Sequence, residues 1–219
     1  MIRNFSFWAL LLCSFTLFAQ DFEGKVVYSI TVPASLDPQV KMMMPKEATG
    51  YFKDSKVRME TQAGMGMTTT SIANGKTGES VVLMNVMGSK YAIKGGGNEQ
   101  EEKEMMEKTE VKLVDSTRTI AGFNCKKAIL SFQTKETKEK ITMNVWYTNE
   151  IKASNKHVSG PMGKIDGFIL EYSFSQQGID MMFTASAVTR QAVEDKLFDV
   201  PSDYKFMTQE ELRKAFGGQ

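Results

Sequence analysis

The sequence is poor in the residues on which most catalytic and metal sites depend. Its 219 residues include one histidine and two cysteines. A Ser-His-Asp or Cys-His site would have to use the histidine, His157, and no nucleophile-elbow motif accompanies it. No pair of cysteines or histidines has the spacing of a zinc site. We therefore expect a non-enzymatic protein without catalytic residues, a cofactor or a zinc ion.

The chain also lacks a cysteine pair in the part that we expect to remain after export. Arg3 is the one charge of the first nineteen residues, an apolar stretch follows, and Ala19 precedes the expected cleavage site. Cleavage after Ala19 removes Cys13 and leaves Cys125, so an internal disulfide cannot form. We expect residues 20–219 to be one exported antiparallel β domain, either periplasmic or secreted.

The chain also has no excess of basic or acidic residues, and it has no long apolar segment after the expected signal peptide. The 27 basic and 26 acidic residues give a formal net charge of +1. Such a balance provides no electrostatic argument for binding nucleic acid. No segment after residue 20 has the length and hydrophobicity of a transmembrane helix. We therefore expect no nucleic-acid partner and no transmembrane segment. The sequence leaves the oligomeric state open.

Short segments with alternating apolar and polar residues fill most of the chain. The segments 125–132 and 140–148, joined by a charged link, predict an antiparallel hairpin. In the second segment one face carries Ile141, Met143, Val145 and Tyr147, and we expect that face to be buried. Similar segments before and after this hairpin predict about nine strands. Two of the earlier connections, Asp54-Ser55 and Asn74-Gly75, have the composition of tight hairpin turns.

Three segments have helical character: 39–44, 98–110 and 208–216. In the second, Glu104 and Lys108 are spaced as an i,i+4 ion pair, and in the third, Thr208 and Glu211 have the spacing of a capping box. The middle one is acidic and follows the flexible joint Gly95-Gly-Gly97. Its large apolar residues are Met105 and Met106. We interpret it either as a solvated linker or as a mobile lid that is docked by these two methionines.

Four blocks carry a family resemblance. FEGKVVY, the AGFNCKKA-to-VWYTNEI hairpin, KIDGFILEY and LFDVPSDYK, in this order, resemble the exported domain-of-unknown-function family 4412. The middle blocks also resemble the GLPGLI family, although Lys164–Ile169 replaces its characteristic block. More remotely, the family is similar to the lipoprotein carriers LolA and LolB. The resemblance implies a curved, incomplete antiparallel barrel with helices on its concave side, and it implies no catalytic residues.

Methionine is the one residue type in excess, with sixteen copies. The segments 42–44 and 65–67 contain five of them. Thioethers are ligands for Cu(I), and flexible methionine side chains also adapt to varied apolar partners. Ordinary core or surface packing is a third interpretation. These alternatives remain open at the level of sequence.

The leading hypothesis is a protein that binds an apolar ligand, such as a lipid, an acyl chain or a lipidated protein, on a concave sheet. One alternative is an envelope structural or interaction module without a pocket. Another is a copper-binding protein that uses Met65 and Met67. The candidate ligand-binding residues are Met42, Met43, Met44, Met105, Met106, Met143, Phe168 and Tyr172.

Overall fold

The computed structural model describes residues 21–95, 99–133, 140–152, 160–176, 178–208, 210–211 and 214. The expected signal peptide, the end of the glycine joint, His157, Leu212 and Phe216 lie outside these residues. The described part of the chain contains two α-helices, α1 (Pro38–Met43) and α2 (Glu99–Lys108), and twelve strands. The strands are β1 (Gly24–Thr31), β2 (Glu47–Lys53), β3 (Lys56–Gln62), β4 (Thr68–Asn74), β5 (Glu79–Val86), β6 (Ser89–Gly95), β7 (Glu110–Ile120), β8 (Phe123–Gln133), β9 (Lys140–Thr148), β10 (Phe168–Gln176), β11 (Ile179–Arg190) and β12 (Lys205–Met207).

All twelve strands belong to one open sheet. Its order is β12-β6-β5-β4-β3-β2-β1-β11-β10-β9-β8-β7. Two antiparallel meanders, β1 to β6 and β7 to β11, are therefore joined side by side through the pairing of β1 with β11. The short β12 runs parallel to β6 and was not predicted. The predicted fold class, a mainly β protein built on a single antiparallel sheet with few helices, is confirmed.

The central hairpin forms where alternation predicted it, and three of the four residues predicted to be buried are buried, while Ile141 is half-buried. β8 and β9 pair from Lys126↔Tyr147 to Gln133↔Lys140. Met143, Val145 and Tyr147 are buried on one face, while Thr142 and Asn144 point to solvent. Alternation in the sequence therefore identified the buried face correctly.

The connections confirm one predicted turn and correct the other. Asp54 has a positive φ of 52° in the tight turn between β2 and β3. The turn after Asn74 is longer, because β4 and β5 pair last at Asn74↔Glu79 and leave four residues between them. The Asn74 side chain accepts a 3.0 Å hydrogen bond from the amide of Lys76, and the Asn74 carbonyl accepts one from the amide of Gly78 at 2.8 Å. These side-chain and backbone bonds stabilise the wider loop.

The sheet is strongly curved. Phe52 on β2 and Phe168 on β10 are separated by three strand-to-strand steps, about 14 Å in a flat sheet. Their ring centroids are nevertheless 5.0 Å apart, and Phe22 packs 5.2 Å from the Phe168 ring. The C-terminal meander therefore bends toward the N-terminal meander, and aromatic side chains fill the inside of the bend.

The two helices are stabilised by different interactions, α1 by a local cap and α2 also by a turn that is distant in the sequence. Asp37 caps α1, since its carboxylate accepts a 2.8 Å hydrogen bond from the amide of Gln39. On α2, Glu104 and Lys108 form the predicted i,i+4 ion pair at 3.8 Å. α2 packs on the 3-10 turn Gly160–Lys164, and the Lys164 ammonium donates 2.9 Å hydrogen bonds to the carbonyls of Glu107 and Thr109.

The segment after β11 covers one face of the N-terminal meander. Phe198, Val200 and Tyr204 pack on a cluster that contains Ile72 and Leu83. Thr208 and Glu211 form the predicted capping box, with the Glu211 amide donating to the Thr208 hydroxyl at 3.1 Å.

Candidate functional site

An apolar cavity of about 350 Å³ lies between the two meanders. One wall comes from β1 to β5, and the opposite wall comes from β10 and the 3-10 turn Gly160–Lys164. None of the lining residues is charged, and the side chains of two of them, Ile72 and Val81, lie on the opposite face of the sheet. The lining residues are Tyr28, Phe52, Val57, Met59, Ser71, Ile72, Ala73, Ser80, Val81, Val82, Met162, Phe168, Ile169 and Tyr172.

The strand register explains why the first wall is continuous. Met59 pairs with Ser71, and Ser71 pairs with Val82, so these three residues form one row on the same face of the sheet. Gly50, beside this row, has no Cβ, and a Cβ there would lie 2.7 Å from the Phe52 ring and 3.3 Å from the Met59 methyl. Gly50 therefore allows Phe52 and Met59 to pack together. Met59 is half-buried and Ser71 is exposed, so this side of the cavity opens to solvent.

Two tyrosines contribute rings rather than charge to the cavity. The Tyr28 hydroxyl donates a 3.1 Å hydrogen bond to the Ile169 carbonyl. Tyr172 stacks on Phe183, with ring centroids 4.9 Å apart and planes within 4° of parallel. Burial raises the pKa of both phenols, so both remain neutral at physiological pH. The cavity therefore offers a ligand an apolar and electrically neutral surface.

A second, larger cavity of about 770 Å³ is polar. Its charged residues are Lys46, Glu47, Arg58 and Glu60. The Arg58 guanidinium is already engaged, since it donates a 2.6 Å hydrogen bond to Glu60 and a 2.8 Å bond to the Leu197 carbonyl. The other lining residues are Met42, Met44, Thr49, Thr61, Gln62, Ala63, Gly64, Thr68, Thr70 and Tyr204.

The structure separates the candidate ligand-binding residues into different places. Phe168 and Tyr172 line the apolar cavity, whereas Met42 and Met44 line the polar one. Met143 is buried in a core cluster that Met162 also contacts. Met43 is exposed, and Met105 and Met106 are half-buried on α2.

Sequence reasoning missed the whole of the first wall and, in the opposite wall, Met162. Phe52, Val57 and Val82 alternate correctly within their strands, but alternation does not distinguish a cavity wall from a packed core. Met162 lies in a segment without periodicity, although it lines the cavity and belongs to the turn on which α2 packs. No pattern in the sequence marks it.

Cys125 has the environment of a structural thiol. It is fully buried and donates a 3.5 Å hydrogen bond to the Phe123 carbonyl. Desolvation raises the thiol's pKa, so the unreactive protonated form predominates at neutral pH. In the described residues no group of three or more His, Cys, Asp and Glu side chains is arranged to hold a metal ion. No helix of the described ranges is long and apolar enough to cross a membrane.

The C-terminal meander is similar to a known protein family. Residues 97–191 match the family described as N-glycanase peptide, N-terminal domain. The match covers less than half of the chain and runs from the start of α2 to the end of β11. It is a different family from domain-of-unknown-function family 4412, and the resemblance to that family stays a prediction.

A solved structure with a related shape is the lipoprotein LppX of Mycobacterium tuberculosis. The likeness covers 78% of this chain and 89% of that one, at 8% sequence identity and a TM-score of 0.41. It assigns no ligand to this chain. No curated protein matches the sequence.

Proposed function

We propose that the protein binds an apolar ligand, a lipid or an acyl chain, in the cavity between its two meanders, without catalysing a reaction. The observation that carries this proposal is the uncharged lining of a cavity of about 350 Å³. Burial of apolar ligand surface there would contribute roughly 25 cal/mol per Å². The cavity wall has no buried charge that would have to be desolvated when such a ligand binds.

The size of the cavity fits this class of ligand. Small-molecule sites commonly enclose about 300–1,000 Å³, and an apolar cavity of about 150 Å³ already accommodates benzene. One polar group of the cavity, the Tyr28 hydroxyl, already donates its hydrogen bond to the Ile169 carbonyl. Selection would therefore depend on shape and apolar contact, while a polar head group remains at the open side near Ser71. The presence of a cavity favours this proposal over an interaction module without a pocket.

Movement of α2 would provide a way to displace the ligand. The Lys164 ammonium binds two carbonyls at the end of this helix, and Met162, two residues earlier in the same turn, lines the cavity. Movement of α2 would therefore shift one cavity wall. We include in the proposal that α2 acts as the lid suggested by the sequence, and that the protein acts after export.

Binding of the uncharged apolar fluorophore N-phenyl-1-naphthylamine tests the proposal. The wild-type protein should bind one equivalent with enhanced fluorescence. Met59→Trp should weaken binding at least tenfold, because the larger side chain fills space beside Phe52 and Val82. An acyl chain such as oleate should displace the fluorophore.

Met87→Trp is the matched control, since Met87 is exposed in the turn between β5 and β6 and does not line the cavity. It should bind the fluorophore as the wild type does. Absence of saturable binding to the wild type, or equal binding by Met59→Trp and wild type when both are folded by circular dichroism, would contradict the proposal.

A further inference from the structure

Two methionine-containing segments, separated by twenty residues in the sequence, are in direct backbone contact. One is the end of α1, with Met42, Met43 and Met44, and the other contains Met65 and Met67 around a 3-10 turn. Gly64 makes the contact: a Cβ at this position would lie 2.5 Å from the Met42 carbonyl oxygen and 3.0 Å from the Met43 Cα. The close approach therefore requires glycine and brings together two segments that carry five methionines, which we name the methionine cluster.

Three members of the methionine cluster are exposed to an extent that core packing does not explain, whereas Met67 is half-buried and Met44 packs against the main core. Met42 is 76% exposed, Met43 48% and Met65 71%. Met65 also has φ 62° and ψ 21°, a left-handed conformation that residues with long side chains rarely adopt. Large apolar side chains that are exposed together in this way mark a surface that interacts with something else.

The chemistry of the cluster specifies a soft metal. Thioethers are soft, neutral ligands that select Cu(I), whereas zinc and calcium need nitrogen, thiolate or several oxygen ligands. The described residues contain no group of three or more His, Cys, Asp and Glu that is suitable for those metals. The cavity that Met42 and Met44 line also contains Lys46 and Glu47, whose charges balance, and Arg58 and Glu60, which pair with each other. The Lys41 ammonium is held by the Ala34 carbonyl at 2.6 Å.

We propose that Met42, Met43, Met44, Met65 and Met67 form a binding site for one Cu(I) ion, at the surface where Gly64 brings α1 against the 3-10 turn. Methionine side chains have three rotatable bonds, so sulfurs from both segments can adjust their positions toward one ion. The site is separate from the apolar cavity, which none of these five residues lines.

The test is an anaerobic titration of the full chain with Cu(I) in competition with the chromophoric chelator bicinchoninate. The background carries Cys13→Ala and Cys125→Ala, so that both thiols of the sequence are removed. We expect one Cu(I) per chain and no comparable binding of Zn(II). The double variant Met43→Leu with Met65→Leu should bind at least tenfold more weakly, because leucine keeps the volume and hydrophobicity and lacks the sulfur.

Met87→Leu is the matched control, because Met87 is likewise exposed and has a positive φ, and it belongs to a different turn. It should bind Cu(I) as the background does. Gly64→Ala should also weaken binding, since the added Cβ forces the two segments apart. Circular dichroism establishes folding, and if the cysteine-free background does not fold, the leucine variants are compared in the wild-type chain. No Cu(I) binding, or equal affinity in the double leucine variant and Met87→Leu, would overturn the proposal.

Discussion

The Thr184 hydroxyl on β11 donates a 2.7 Å hydrogen bond to the carboxylate of Glu171 on the neighbouring strand β10. The same carboxylate, whose side chain is 10% exposed, forms an ion pair with Arg118 on β7. The Arg118 guanidinium in turn lies 4.3 Å from the centroid of the Trp146 ring on β9. One buried acid therefore connects the last strand of the sheet to strands nearer its centre.

Replacing Arg118 should be costly for stability. Arg118→Leu removes the ion-pair partner of the buried Glu171 carboxylate, which keeps its hydrogen bond from Thr184. We expect a loss of about 2 kcal/mol, between the values for exposed and fully buried ion pairs, because Arg118 itself is partly exposed. Urea denaturation measures this loss. Lys127→Leu, which removes a cation 5.9 Å from the same ring, should change stability by less than about 0.5 kcal/mol. Equal losses would mean that the ion pair is not the cause.

The buried face of β9 gives the sharpest test of the fold. Val145 is completely buried, so Val145→Asp should lower the free energy of unfolding by about 3 kcal/mol or more, because the new carboxylate has no partner. Thr142→Asp, on the exposed face of the same strand, should be nearly neutral. Thermal denaturation followed by circular dichroism compares the two variants. Similar damage at both positions would contradict the one-sided burial of this hairpin.

Attachment of α2 should control access to apolar surface. The double variant Met105→Asp with Met106→Asp should detach the helix, because both side chains are half-buried and carboxylates resist burial. We expect stronger fluorescence of N-phenyl-1-naphthylamine together with an unchanged far-ultraviolet circular dichroism spectrum. Lys103→Asp, at an exposed position of the same helix, is the control and should behave as the wild type. Unchanged fluorescence in the folded double variant would mean that α2 covers no apolar surface.

The Cys125 thiol should react slowly with Ellman's reagent in the folded protein. Burial raises its pKa, so the fraction of reactive thiolate at pH 7 is smaller than for an ordinary cysteine, and the rate should rise only at higher pH. A Cys13→Ala chain isolates the signal of Cys125. The same chain in urea should react at the rate of an exposed thiol. Fast reaction in the native state would show an accessible, activated cysteine.

Local sequence patterns predicted much of this architecture. Alternation identified both strands of the central hairpin and the buried positions Met143, Val145 and Tyr147, because one face of each strand packs on the core. The capping box of Thr208 and Glu211 was also predicted, since it depends on residues three positions apart. Interactions between residues close in the sequence can be predicted because the geometry of a helix or a strand determines which of their side chains come into contact.

The remaining features depend on residues far apart in the chain. The contact of Phe52 with Phe168 results from accumulated curvature across four strands, and no local pattern encodes it. β12 has three residues and pairs with β6 more than a hundred positions earlier, so alternation could not reveal it. The contact between Gly64 and Met42 likewise depends on where α1 packs. The candidate cavity and the methionine cluster therefore could not be predicted from the sequence, because each is formed by segments that are far apart in the chain.

The two edges of the sheet differ in how readily they can pair with a second copy of the protein. β12 covers the edge of β6, whereas β7 pairs with β8 and has no second neighbour among the described strands. An uncovered strand invites another copy to extend the sheet. On β7, the charged residues Glu110 and Lys112 alternate with Val111 and Leu113, which are also exposed, and Glu110 is paired with Lys140 at 3.0 Å. The charges would have to lose water if another copy paired with β7 and so oppose fibre growth at this edge, while loss of the three residues of β12 would expose a second edge at β6.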